Sequence, residues 1–305
     1  MTDRPFLSRQ ERFRIVRSTN DVVRGWLADG TPEVCLALAD EQSAGRGREG
    51  RTWVAPADRA LLLSLGFRPT WLEPRHAWRL AAVVALAMAD AAEEVARLRD
   101  NTIRLKWPND LVAETDAAVK KLGGVLGETD GLGGPDPRVV VGIGINGDWA
   151  AAEFPALLAT TMTSLREAAR GRPVDHALLL DAFLSRVEPR TLALREGRFP
   201  VGDWIERQLT IRRVVRIETA DGRSEEALAV GVDPDSGALL VADGRFPGGE
   251  RAVLSGDVWH VRLADDLEVG EPTAGEPTVG QSPFGESSPA EPSAGEPSFG
   301  APNRV

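Results

Sequence analysis

The sequence predicts an α+β protein in which a larger domain of strands and helices precedes a small β-barrel. Three observations predict it. Between residues 12 and 196, apolar runs of strand length alternate with segments of helical i, i+3/i+4 spacing. Beyond residue 207 short alternating strands take over, separated by turn signals at Asp221-Gly222, 233–237 and Pro247-Gly248-Gly249. That spacing is the signature of a small barrel. From Leu267 onward the chain is a G-E-P-[TS]-x-G-like repeat that cannot offset its ordering entropy and is expected to be disordered. The expected division is therefore 1–205, 206–266 and a tail over 267–305.

In order, residues 12–16 read as a strand ending at Ser18-Thr19-Asn20-Asp21, a polar cluster that opens a helix to Ala28. Such residues cap helix N-termini, and they can equally line a polar ligand pocket there. Residues 34–39 (V-C-L-A-L-A) and 61–67 (L-L-L-S-L-G-F) are continuous apolar runs, consistent with buried strands. Residues 78–98 have the alanine content and spacing of a long helix packed on a sheet. Residues 103–107 form a short strand running into Lys106-Trp107-Pro108-Asn109-Asp110, followed by an acidic, Ala-rich hairpin expected to be exposed. Residues 120–128 and 139–146 are strands, the latter (V-V-V-G-I-G-I-N) with two glycines where something approaches the backbone closely. Residues 157–165 and 175–196 read as helices, a boundary falls at 202–207, and barrel strands are expected at 214–218, 227–232, 238–242 and 258–263.

Composition excludes several functions. A net charge of −10 argues against a general nucleic-acid binder, although half of it sits in six glutamates of the tail set against Arg304. No apolar run reaches the length of a membrane span, and the N-terminus lacks a signal-peptide core. A single cysteine, Cys35, fits a reducing cytoplasm. The three histidines have no metal-ligand spacing, so no protein metal site is expected.

The chain is organised around residues 42–53, Q-S-A-G-R-G-R-E-G-R-T-W. Glycines allow close backbone approach, and arginines present donor forks matched to carboxylate and phosphate oxygens. The stretch reads as a mobile cationic loop that closes over an anion. Residues 45–50 also match G-x-G-x-x-G, but a dinucleotide fingerprint must open a helix. Arg51-Thr52-Trp53-Val54-Ala55-Pro56 is a poor helix start.

The string G-R-G-R-x-G-R-x-W, with Gln42 three residues before its first glycine, resembles the biotin-binding loop of biotin–protein ligases. The other motifs of that family follow in order: S-T-N at 18–20, K-W-P-N-D at 106–110, K-L-x-G-[IV]-L-x-E at 121–128 and G-I-G-I-N at 142–146, with G-D-V-W at 256–259 near the last strand. The resemblance covers residues 13–262. It implies a class II aminoacyl-tRNA-synthetase-like mixed sheet flanked by helices, plus a C-terminal SH3-like barrel. It also implies a two-step reaction. Biotin's carboxylate attacks the α-phosphate of ATP, with Mg2+ assisting, and a lysine of a biotin carboxyl carrier protein domain then takes biotin from biotinyl-5′-AMP. Paired subunits are common in the family. Some members carry an N-terminal helix-turn-helix and bind DNA; so few residues precede the first strand here that this route is not expected.

Matched residue by residue, the family implies that Ser18, Thr19, Asn20 and Gln42 bind biotin's ureido group. Gly45, Arg46, Gly47 and Arg48 wrap biotin and the anhydride, with Arg48 close to the reacting carboxylate and phosphate. Lys121 bridges biotin's carboxyl and the α-phosphate, making it, with Arg48, the expected catalytic pair. Gly124 gives backbone access to biotin. Arg51 lies near the phosphates, Trp53 near adenine, and Lys106, Asn109 and Asp110 serve the nucleotide or its metal. Asn146 sits by adenine or ribose. Simpler readings stand beside these: Lys120 as a solvated charge, Trp107 as core, Asp110 as a turn cap and Asn146 as a strand-end residue. Two other functions compete: a lipoate-type protein ligase on the same fold, which the Arg–Gly loop disfavours, and a non-catalytic biotin-binding module, which Lys121 disfavours.

Overall fold

The computed structural model describes residues 4–114, 118–219, 222–255 and 260–263. The expected G-D-V-W at 256–259 and the tail at 267–305 lie outside them. In chain order the elements are β1 (Arg9–Val16), α1 (Thr19–Ala28), β2 (Cys35–Gln42), β3 (Ala60–Phe67), α2 (Trp78–Ala96), β4 (Ile103–Lys106), β5 (Asp110–Glu114), β6 (Val119–Asp130), β7 (Arg138–Asn146), α3 (Ala156–Ala159), α4 (Leu165–Ala168), α5 (His176–Arg195), α6 (Val201–Glu206), β8 (Val214–Glu218), β9 (Ser224–Val232), β10 (Leu239–Ala242), β11 (Glu250–Val253) and β12 (His260–Leu263).

Strands β1 to β7 form a seven-stranded mixed sheet in the order β1-β2-β3-β7-β6-β5-β4, with β1 parallel to β2 and the other pairs antiparallel. Because side chains alternate along a strand, β3 and β7 each present two different faces. Leu61, Leu63, Leu65 and Phe67, with Val139, Val141, Ile143 and Ile145, join the main core beneath α2 and α5. Alanines in α2 (Ala82, Ala85, Ala89, Ala92) are buried and let the helix lie close to the sheet and α5. Asp175 starts α5 by accepting from the amides of Ala177 and Leu178. On the opposite face α1 covers β2, β3 and β7 through Val23, Trp26 and Leu27.

Several expectations change. β1 starts at Arg9, because its backbone pairs with β2 from Cys35 onward. Asp110 opens strand β5, whose Leu111, Val112 and Ala113 are buried between β4 and β6; of the hairpin expected to be exposed, Glu114 is exposed and 115–117 lie outside the described residues. The helix expected over 157–165 is two separate turns, α3 and α4. Between them, Thr161 O accepts from Lys121 N at 2.8 Å and Lys121 O accepts from Thr163 N at 2.8 Å, so pairing with β6 replaces helical bonds. The stretch 202–207, where a boundary was expected, holds most of α6, with Trp204 buried, and Arg207, buried against Glu93 at 3.0 Å. Past α6 a second, five-stranded antiparallel sheet runs β11-β10-β9-β8-β12; β11 was not expected.

Candidate active site

A cavity of about 160 Å³ opens on the α1 face of the large sheet. Its floor is built where α1 meets β3 and β7. Ser18 stands at the N-cap position of α1, but its side chain makes no cap hydrogen bond and it lines the cavity. Gln42 Oε1 accepts from Thr19 N at 2.8 Å and from Thr19 Oγ1 at 3.1 Å. Ser64, on β3, contacts Thr19 Oγ1 at 2.7 Å and Asn20 Oδ1 at 2.5 Å. Two hydroxyl protons thus serve three contacts, leaving spare acceptor capacity. Such a floor takes a ligand that brings its own N–H donors. Gly142 makes this packing possible, since a Cβ there would strike the Asn20 amide.

Residues 45–53 fold into a small flap over the cavity. Gly47 N donates to Arg51 O at 2.6 Å, Trp53 N to Gly45 O at 2.9 Å, and Arg46 bridges Thr52. The Trp53 ring lies on Gly144, where a Cβ would come within 2.8 Å of it. Its buried indole N–H has no hydrogen-bond partner among the described residues. Arg46 is held by Asp21 Oδ2 at 2.9 Å and Glu128 Oε1 at 3.3 Å. That bond lowers the Asp21 carboxyl pKa below its ordinary value and raises that of Arg46. Arg48 is more enclosed: its side chain is 12 % exposed and donates to the Ser255 carbonyl, two residues past β11. Burial pushes its pKa down, while the nearby Glu49 carboxylate acts in the opposite direction.

Lys121 enters from β6. Its Nζ lies 2.6 Å from Asp110 Oδ1 and 5.6 Å from the Trp53 ring centre. A bulge between Leu111 and Val112 sets this register, placing Asp110 opposite Gly124. Asp110 therefore pairs with the lysine rather than merely ending a turn. Next to the first cavity is a second of about 340 Å³, and both are lined by Arg48, Asn109, Val125 and Leu126.

Of the residues expected at the site, Ser18, Thr19, Asn20 and Gln42 line the first cavity from below, Arg46, Gly47, Arg48, Arg51 and Trp53 from the flap, and Asn109, Lys121 and Gly124 from β5–β6. Lys106 and Asp110 line the second cavity instead. Gly45 lines neither; it sits under the Trp53 carbonyl. Asn146 is fully buried off both cavities, with Nδ2 bonded to Thr163 O at 2.9 Å and Oδ1 without a partner among the described residues. Trp107 is core, as the simpler reading had it, and its indole donates to Gly237 O at 3.0 Å. Lys120 is not a free solvated charge, because its Nζ donates to Ala159 O at 3.0 Å. Ser64, Asp21 and Glu128 were missed. The signals were Ser64, polar among the leucines of 61–65, Asp21 at the end of the 18–21 polar cluster and Glu128 at the end of the 121–128 motif.

The chain is similar to known proteins. A profile of the Biotin/lipoate A/B protein ligase family matches residues 12–146. The chain is 32 % identical over 230 residues to a biotin–[acetyl-CoA-carboxylase] ligase of Mycobacterium tuberculosis, covering 74 % of this chain and 79 % of that protein. It is 33 % identical to the enzyme of that name from Paracoccus denitrificans, over 76 % of this chain and 93 % of that one. The biotin protein ligase of Aquifex aeolicus, solved in complex with biotin and ATP, superposes with a TM-score of 0.67 at 26 % identity, over 84 % of this chain and 99 % of that chain. With relatives at this identity spanning most of their length, the chain belongs to the biotin–protein ligase family.

Proposed function

We propose that this protein is an ATP-dependent biotin–protein ligase whose acceptor is a lysine of a biotin carboxyl carrier protein domain in an acetyl-CoA-type carboxylase. The observation that carries the reading is that Arg46, Arg48 and Lys121 line one cavity whose floor has unused acceptor capacity. A cyclic urea supplies the matching N–H groups, and its carboxylate arm then lies under the flap.

In the first step a biotin carboxylate oxygen forms a bond to the α-phosphorus of ATP and pyrophosphate leaves. On this reading Arg48 and Lys121, which line the same cavity, hold the two anions together, a stabilisation worth most where water is excluded. Lys121 must exchange Asp110 for the incoming oxygens. Trp53 offers an indole face to adenine, and Arg51, Lys106 and Asn109 serve the nucleotide, whereas Asn146, buried off both cavities, braces the wall through Thr163. In the second step the carrier lysine's amine attacks the anhydride carbonyl and AMP leaves. Among the described residues no group of three or more metal-ligating side chains gathers. Asp110, beside Lys121, is the carboxylate positioned to hold Mg2+, which binds through few carboxylates plus substrate phosphates and would offset phosphate charge.

On this reading residues 1–205 are the catalytic domain and 206–266 an SH3-like barrel. The reducing cytoplasm is the place of action, and no helix among the described residues is long and apolar enough to cross a membrane. The test is pyrophosphate release with ATP, Mg2+ and biotin or lipoate, followed by mass measurement of a carrier domain. Release that needs biotin, with the acceptor gaining one biotinyl group, is expected. Release with lipoate alone selects the lipoate ligase, and no release with either selects the binding module.

A further inference from the structure

Glu128 closes the K-L-G-G-V-L-G-E motif, yet nothing in the chemistry above uses it. It lies on β6, facing α1. One of its oxygens accepts from Asn20 Nδ2 at 2.7 Å, and the carboxylate also meets Arg46 Nη2 at 3.3 Å and Arg24 Nη2 at 2.8 Å. It therefore joins a residue of the pocket floor to a residue of the flap. Arg46 is also gripped by Asp21 of α1, at 2.8 Å.

We infer that Glu128 is a positioning residue that, with Asp21, latches the flap shut through Arg46 and fixes the amide of Asn20, so that the activated acyl intermediate is retained. The carboxylates stand on a helix and a sheet strand, whereas Arg46 stands between Gly45 and Gly47. The rigid partners set the mobile one. The ion pairs are partly exposed, with side-chain exposures of 33 % for Arg46, 24 % for Glu128 and 39 % for Asp21. Pairs in such settings are individually weak and screened by salt. The latch therefore opens readily to admit substrates, and its strength depends on ionic strength. Asn20 gains a fixed orientation from the same carboxylate: its Nδ2 is committed to Glu128 and its Oδ1 to Ser64.

This inference rests on the ligase reading. The experiment measures escape of preformed biotinyl-5′-AMP by rapid filtration, together with labelling of a bystander protein, in the full chain. Glu128→Gln removes the charge but keeps an oxygen for Asn20, and it is expected to speed escape about tenfold and raise bystander labelling, with an unchanged thermal midpoint. Added salt should speed escape from the unsubstituted protein more than from Glu128→Gln. The pair Arg46→Ala and Arg46→Ala/Glu128→Gln should leak alike, since Glu128 acts through Arg46. Escape from Glu128→Gln within twofold of the parent, or additive losses in the double variant, overturns the inference. Should Glu128→Gln not fold, Asp21→Asn carries the same test, faster escape supporting the latch and equal escape refuting it. A parent protein that forms no adenylate refutes the ligase reading instead.

Discussion

The two faces of the seven-stranded sheet are made from the same residues of β3 and β7, taken alternately, and they are opposites. Toward α2 lie Leu63, Leu65, Val141, Ile143 and Ile145, all buried in the main core. Toward α1 lie Ser64, Gly142, Gly144 and Asn146, small or polar and in contact with Asn20, Trp53 and Thr163. One face is close-packed and holds the fold. The other gives up side-chain volume so that polar groups and an indole can press against the backbone. Stability and binding are thereby separated by a single step in register.

Substitutions on adjacent residues test that separation. Ile143→Ala should cost about 2–5 kcal/mol in denaturant unfolding, because it leaves a cavity in the α2-side core. Lys121→Ala should show the reverse, a drop in biotin-dependent pyrophosphate release on the order of 10²–10³-fold, with unfolding little changed. If Lys121→Ala unfolds the protein or Ile143→Ala spares it, the separation fails. Gly142→Ala pushes a methyl into the Asn20 amide; about 1–3 kcal/mol of strain is expected, read as a raised KM for biotin while that for ATP stays put. Ser64→Ala leaves Asn20 Oδ1 without its hydroxyl donor, and biotin affinity should fall about tenfold, with a stability loss of about 1 kcal/mol. Equal affinity for the Ser64 variant would remove that hydroxyl from the site.

The smallest effect lies past the end of β7. His176 Nε2 accepts from Asp148 N at 3.2 Å, and burial pushes the ring's pKa below 6.5. Below pH 6.5 the unfolded chain takes up a proton that the folded ring resists. This contribution is therefore complete above that pH and is lost as pH falls toward the depressed folded value. His176→Gln should flatten the dependence of the thermal midpoint on pH between 7.5 and 5.5; an unchanged slope assigns it to other groups.

Strands β2, β3 and β7 were legible because they are near-continuous apolar runs, and α2 because its alanines and apolar residues keep helical spacing. So was the flap, where Gly and Arg alternate in a way no core explains. What was hidden depends on partners far along the chain. β5 is a strand because β4 and β6 flank it, and residues 160–164 leave the helix because Lys121 offers backbone bonds. In the sequence Asp21 is only part of a polar cluster and Glu128 only the last residue of a motif. Only the folded chain brings them to Arg46, across 82 and 25 residues.

The turns and connections around the second sheet hold segments that border the cavities. Trp107, which leads into Asn109 and Asp110, donates its amide to the Thr210 hydroxyl and its indole to the Gly237 carbonyl, while Arg48 reaches the carbonyl of Ser255. A gene fragment ending after α6 would strip all three acceptors at once. The segment leading into Asn109 and Asp110, and the Arg48 side chain of the flap, would lose these anchors together.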